Sequence, residues 1–140
     1  MKVTAVYIDD EVDTEKEEIK IAWLRQRDVD VVPVKYVGDA LRELRKRRVD
    51  IVLLDVLMAP YDVYALEETK NGTDTGLRLL QDIRREFPNL PVIVISVKKP
   101  VDVESALESL RADGYLYKPV LGVDILEEII RVIGDWREKL

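Results

Sequence analysis

Val3-Thr4-Ala5-Val6-Tyr7-Ile8-Asp9-Asp10 opens the chain with an apolar run that stops on two carboxylates. The arrangement returns further along: Ile51 to Leu54 runs into Asp55, Val92 to Ile95 into Ser96, and Tyr115 to Tyr117 into Lys118-Pro119. Short Val/Ile/Leu-rich runs separated by helical segments read as parallel strands buried on both faces. In an open α/β sheet, ligands bind outside the carboxyl ends of the strands. The acids, the hydroxyl and the amine therefore converge on one edge.

The segments between these runs carry helical periodicity. Thr14 to Arg27 places Ile19, Ala22 and Trp23 on an apolar face, with Asp13 or Thr14 as N-cap. Val29 to Val34 reads as a strand, and Pro33, which cannot donate to a ladder, puts it at a sheet edge. Asp39 caps a helix to about Arg47. Leu77, Leu80, Ile83 and Phe87 mark a helix from about Thr75, stopped by Pro88. Val103, Ala106, Leu107 and Leu110 mark the next, and a last helix from about Val123 to Arg137 carries two adjacent stripes, Leu126/Ile130/Ile133 and Ile125/Ile129/Val132/Trp136. This alternation predicts an α/β fold, a flavodoxin-like doubly wound (βα)5 unit with parallel sheet order 2-1-3-4-5. The first and third strands then meet at the switch point, with Asp9, Asp10 and Asp55 together.

A length of 140 residues suits a single domain. Cysteine and histidine are both absent, which excludes disulfides, thiolate or imidazole metal ligands and thiol nucleophiles. A formal net charge of −6 argues against non-specific attraction to nucleic acid. The basic run Arg42 to Arg48 reads as cations complementing a helix C-terminus rather than as a docking patch. Met1-Lys2 leads straight into a strand without a signal-peptide pattern, and Asp55 interrupts the most apolar stretch below membrane-spanning length. A soluble cytoplasmic protein with no membrane contact is the expectation.

Carboxylates held a few ångströms apart repel, and a divalent cation resolves that conflict. With oxygen donors alone, Mg2+ or Mn2+ fits better than zinc. Asp10, with Asp9 behind it, supplies the metal shelf, and Asp55 can both touch metal and act as nucleophile. A carboxylate attacking phosphorus gives an aspartyl phosphate, whose equatorial oxygens need electrostatic partners. Lys118 offers a mobile point charge and Ser96 a neutral donor.

With these residues in view the chain resembles the CheY-like receiver domain of two-component response regulators. The resemblance covers essentially the whole chain and rests on Tyr7-Ile8-Asp9-Asp10-Glu11, Leu53-Leu54-Asp55, Asp74-Thr75-Gly76-Leu77, Val94-Ile95-Ser96 and Gly114-Tyr115-Leu116-Tyr117-Lys118-Pro119. It implies that Asp55 is the phosphoacceptor and that Asp9, Asp10, Asp55 and the backbone carbonyl of Leu57 hold magnesium. Ser96 and Lys118 would read the phosphoryl group, Tyr115 would be the switch aromatic, and the Lys118-Pro119 bond would be cis. The implied phosphodonor is a histidine kinase or a phosphotransfer protein. The implied output surface is the fourth helix, fifth strand and fifth helix. Such a protein is no enzyme toward external substrates: a phosphatase would want a second acid two residues after Asp55, where Leu57 stands.

An alternative is a module of the same fold that no longer cycles phosphate and holds a partner by an insertion or by its last helix, whose wide apolar face leaves room for a homodimer. No DNA-binding segment follows that helix, so no direct nucleic-acid contact is expected. The chain departs from the family after Asp55. Val56-Leu57-Met58-Ala59-Pro60 has Ala59 as an extra residue, and Gly76 comes late, after an insertion at about residues 59–73. Long insertions are either functional loops or disordered ones. A helical turn between Asp62 as cap and Gly72 as stop would place Tyr61 and Tyr64 over the pocket, with Asp62, Glu67 and Glu68 repelling anionic donors. Val97 is larger than the residue usual after the hydroxyl, and Leu57 and Lys98 sit where the family controls water access.

Overall fold

The computed structural model describes residues 1–60 and 63–138. The apolar runs form β1 (Val3–Ile8), β2 (Val29–Val34), β3 (Ile51–Asp55), β4 (Val92–Ser96) and β5 (Gly114–Tyr117). They make one parallel sheet in the order β2-β1-β3-β4-β5, so the strand holding Pro33 lies at an edge as its missing N–H requires. The helices are α1 (Glu15–Arg25), α2 (Val37–Arg45), α3 (Thr75–Glu86), α4 (Pro100–Ser109) and α5 (Gly122–Ile133).

Strand alternation sorts the side chains into two cores. Ala5, Tyr7, Leu53, Ile93 and Ile95 meet α1 and α5, while Val6, Ile8, Val52, Leu54 and Val94 meet α2 and α3. Each fully buried Leu or Ile adds roughly 1.5–3 kcal/mol of transfer free energy. Register then fixes the working edge. Ile8 pairs with Leu54, Asp55 with Ile95, and Ser96 with Tyr117, so the residues that end the strands stand side by side.

Three helix readings need correction. On α1 the inward face is Ile21 and Leu24 with Glu17 and Lys20, whereas Ile19 is 64% exposed and Ala22 is also outside. The reason is a buried polar network: Lys20 Nζ donates to Glu17 at 2.9 Å, and the Tyr7 hydroxyl donates to the same carboxylate at 3.2 Å. Asp39 does not cap α2; Tyr36 is the N-cap and Asp39 lies in the first turn, because buried Val37 carries the helix inward earlier. On α3 the fully buried apolar side chains are Leu79, Leu80 and Ile83, and Leu77 and Phe87 lie at the margin. The wide apolar face of α5 serves the core, with Ile125, Leu126 and Ile129 buried and Ile130, Val132 and Ile133 packed beside them.

The segment between β3 and α3 contains a 3-10 turn, Glu67–Thr69. It is pinned to the strand exit by Met58 N–H donating to the Gly72 carbonyl at 3.2 Å, Gly72 N–H donating to Thr69 Oγ1 at 3.1 Å, and the Thr75 hydroxyl donating to the Met58 carbonyl. Gly72 has φ +90, a conformation that disfavours a side chain. Tyr64 lies along α3, not over the pocket: its hydroxyl donates to Asp82 at 2.5 Å and the Arg78 guanidinium covers its ring at 4.8 Å. The predicted Asp62 cap and Tyr61 lie outside the described residues.

Candidate functional site

Asp9 leaves β1 fully buried, and both its oxygens are engaged. Oδ1 accepts the Glu11 N–H at 2.8 Å and Oδ2 accepts Lys118 Nζ at 3.1 Å. Asp55 ends β3 at 4% exposure; its Oδ1 accepts the Leu57 N–H at 3.4 Å, and its Oδ2 lies 3.6 Å from Lys118 Nζ. Asp10 is half-buried at the mouth, on the wall of the adjoining cleft. One oxygen from each of the three acids lies within 4.8 Å of the others.

These distances set the electrostatics. Burial, then the Asp9 charge, pushes the Asp55 carboxyl up to about 7, against the opposing pull of Lys118. Burial and Asp9 also raise Asp10. Burial alone would lower Lys118, but the Asp55 and Asp9 charges outweigh it and hold the ammonium above its ordinary value. Among the described residues Lys118 is the cation paired with this cluster, and one ammonium against three carboxylates leaves it short of positive charge. A hard divalent ion fits that deficit and the all-oxygen donor set. The adjoining cleft, about 330 Å3 and lined by Asp10, Asp55, Leu57, Val97 and Lys118 among others, has room for an ion, its waters and a phosphoryl group. None of the described residues 63–73 lines it.

Ser96 ends β4 fully buried, and its Oγ accepts the Lys98 N–H at 3.1 Å. The Lys118 N–H donates to the Ser96 carbonyl at 2.8 Å, and the Lys118-Pro119 bond is cis. Tyr115 is half-buried and turned toward the β4–α4 loop, where its hydroxyl donates to the Lys98 carbonyl. Leu57, 41% exposed, stands on the cleft wall. The sequence-predicted residues are thus gathered at one edge.

Several contacts beside the site escaped the sequence reading. Glu17, Lys20 and Tyr7 form the buried network beside the site, and the only signal was the 17/20/21/24 spacing on α1. Lys98 Nζ is paired with Asp74, which precedes α3. Gly76 is needed because a Cβ there would lie 2.0 Å from the Asp55 carbonyl oxygen; its place in the Asp74-Thr75-Gly76-Leu77 motif was the available sign.

Comparison with known proteins agrees with this geometry. The transcriptional regulatory protein ZraR of Salmonella typhimurium is 33% identical over 102 residues, a match covering 71% of this chain and 20% of that protein. The chain spans about a fifth of the length of such curated relatives. The chemotaxis protein CheY4 of Vibrio cholerae superposes with a TM-score of 0.76 at 18% identity, covering 95% of this chain and all of that one. A Burkholderia pseudomallei response regulator, described with a phosphorylated aspartic acid, calcium ion and citrate, superposes with a TM-score of 0.71 at 19% identity, covering 91% of this chain and 66% of that one. The family model for the response regulator receiver domain matches residues 6–130, which take in the acids, the hydroxyl and the lysine at the sheet edge, and the chain belongs to that family.

Proposed function

We propose that this chain is a cytoplasmic signalling switch that accepts a phosphoryl group on Asp55 in a magnesium-dependent reaction and changes partner binding in consequence. The observation that carries the reading is the buried Asp55 carboxyl held among Asp9, Asp10 and Lys118 beside an open cleft. A related fold described with a phosphorylated aspartic acid and a divalent ion supports it. Residues 1–140 are read as one receiver domain with an insertion at about 59–73.

Asp9, Asp10, Asp55 and the Leu57 carbonyl would hold Mg2+ or Mn2+. When bound, the ion supplies positive charge that keeps Asp55 ionised and offsets charge on the phosphoryl oxygens. An Asp55 oxygen attacks phosphorus, a new O–P bond forms, and the bond to the donor's leaving group breaks with its electron pair departing on that group. Lys118 stays within reach of the product oxygens, and the Ser96 hydroxyl lies at the same edge to bind one of them. Leu57, lacking a polar side chain, cannot orient a water for hydrolysis. The only chemistry is gain and loss of the protein's own phosphoryl group.

A histidine kinase or phosphotransfer protein is the proposed donor. An apolar groove of about 430 Å3 between α1 and the start of α5, lined by Ile19, Trp23, Leu121 and Val123, opens beside the cleft, with Lys16 on the wall of both. The output surface is assigned to α4, β5 and α5, where Val101 and Tyr117 are exposed. Incubation with magnesium and a small phosphodonor should add one phosphate by intact mass. The adduct should vanish in Asp55→Asn; no adduct in wild type, or one surviving in the variant, refutes the assignment.

A further inference from the structure

Lys98 is bonded through three separate groups. Its N–H reaches Ser96 Oγ at 3.1 Å, its carbonyl accepts the Tyr115 hydroxyl, and its ammonium pairs with Asp74. The first two contacts belong to the strand-end hydroxyl and to the aromatic beside it. The third leads out of the site.

Asp74 is itself anchored in the β3–α3 segment. Its N–H donates to the Thr69 carbonyl at 2.8 Å, and its carboxylate lies 3.4 Å from Lys70 Nζ. Thr69 is buried and bonded to Gly72, which is bonded to Met58 three residues beyond Asp55. Lys98 is not among the cleft-lining residues, so its charge is committed to Asp74 rather than to the phosphoryl pocket. Burial would raise the Asp74 carboxyl, yet Lys98 and Lys70 bring it below the usual range, as a formed ion pair requires. Both side chains are largely shielded, at 24% and 16% exposure, where an ion pair resists screening better than at an open surface.

We propose that Asp74 and Lys98 are positioning residues that tether the β3–α3 segment to the β4–α4 loop, holding the Lys98 carbonyl where it captures the Tyr115 hydroxyl. The inference rests on the phosphoacceptor reading for its consequence, since Tyr115 matters as a switch only if Asp55 is phosphorylated. The tether biases the unphosphorylated protein toward the captured position of Tyr115. A partner or modification that displaced the β3–α3 segment would release it. Lys70, sharing the Asp74 carboxylate, sets how much of that charge Lys98 receives.

The test separates the two claims. The protein is labelled with 3-fluorotyrosine, and the Tyr115 fluorine resonance is assigned by its loss in Tyr115→Phe. In the unliganded protein, Asp74→Asn and Lys98→Met should each lower the captured population of Tyr115 about fivefold, the low end of typical coupling between sites. Their double variant should match either single one, and Lys98→Arg, which keeps the pair, should match wild type. Magnesium affinity should be unchanged in Asp74→Asn, because neither partner of the pair lines the cleft. An unmoved Tyr115 resonance in Asp74→Asn, or effects that add in the double variant, overturns the tether. A wild-type protein that ignores beryllofluoride with magnesium overturns the phosphoacceptor reading instead, and the unliganded resonance still decides the tether.

Discussion

Arg84 and Asp55 are charged side chains buried against the same sheet, at 8% and 4% exposure, and they occupy opposite ends of it. At the amino end of β4, Arg84 donates to the carbonyls of Leu110 at 3.2 Å, Leu90 at 2.6 Å and Arg111 at 2.8 Å, and to the Asp113 carboxylate at 2.9 Å. Asp113 in turn accepts the Val92 N–H at 2.8 Å. All three nitrogens of that guanidinium donate. At the carboxyl end, Asp55 has one long bond to a backbone amide and a lysine shared with Asp9. A buried charge with complete partners acts as a structural joint. A buried charge left short of them is poised for a cation and a phosphoryl group.

The largest effect should come from breaking the saturated end. Arg84→Met removes four part-buried hydrogen bonds, one of them to the 39% exposed Asp113 carboxylate, so urea unfolding should show a loss of roughly 3–4 kcal/mol, at about 1 kcal/mol for each bond. A loss below about 1 kcal/mol would mean that water satisfies those groups and that the two ends do not differ as described.

Supplying charge to the unsaturated end should work in the opposite sense. Magnesium at about a hundred times its dissociation constant should raise stability by roughly 2.7 kcal/mol. Asp10→Asn should remove most of this gain, while Arg84→Met should keep it. Equal melting temperatures with magnesium and with chelator, at matched ionic strength, would contradict a cation site.

Removing charge should sharpen the contrast further. In chelator, folded Asp55 keeps its proton to about pH 7, whereas the unfolded chain releases it near its ordinary value of 3.8. The folded state therefore binds more protons across that window, and stability falls as pH rises through it. Below the window both states are protonated and no penalty applies. Asp55→Asn should accordingly be more stable than wild type by on the order of 2 kcal/mol at about pH 8, and nearly equal to it at about pH 4. A gain independent of pH would assign the effect to packing.

The smallest effect concerns the β3–α3 segment. Tyr64→Phe removes the hydrogen bond to Asp82 and should cost about 1 kcal/mol. Phosphorylation of Asp55 should be unaffected, since Tyr64 does not line the cleft. A changed phosphorylation rate, timed by intact mass, would restore the covering role that the sequence suggested for this tyrosine.

These contrasts also explain what the sequence disclosed. Strands were legible because β1, β3 and β4 are buried on both faces and read as unbroken apolar runs, and each hands a functional residue to the same edge. Pro33 placed β2 at the margin by a missing donor alone. The inward face of α1 was hidden because two of its buried positions, Glu17 and Lys20, are charged, and periodicity read from apolar residues selects Ile19 and Trp23 instead. Asp74 with Lys98 and Arg84 with Asp113 were also hidden, since each pair is distant along the chain and unmarked by any local spacing. The direction of Tyr64 depended on Asp82, a helix later, and no pattern within the segment specified it.

The most direct test of an under-compensated site is a carbon-13 NMR titration of the Asp55 carboxyl, assigned by its loss in Asp55→Asn. In chelator the midpoint should fall near 7, above the range of ordinary aspartates. With saturating magnesium it should move down, because the added cation favours the ionised form. A midpoint in the ordinary range in chelator, unmoved by magnesium, would contradict the account: Asp55 would then be as fully compensated as Arg84.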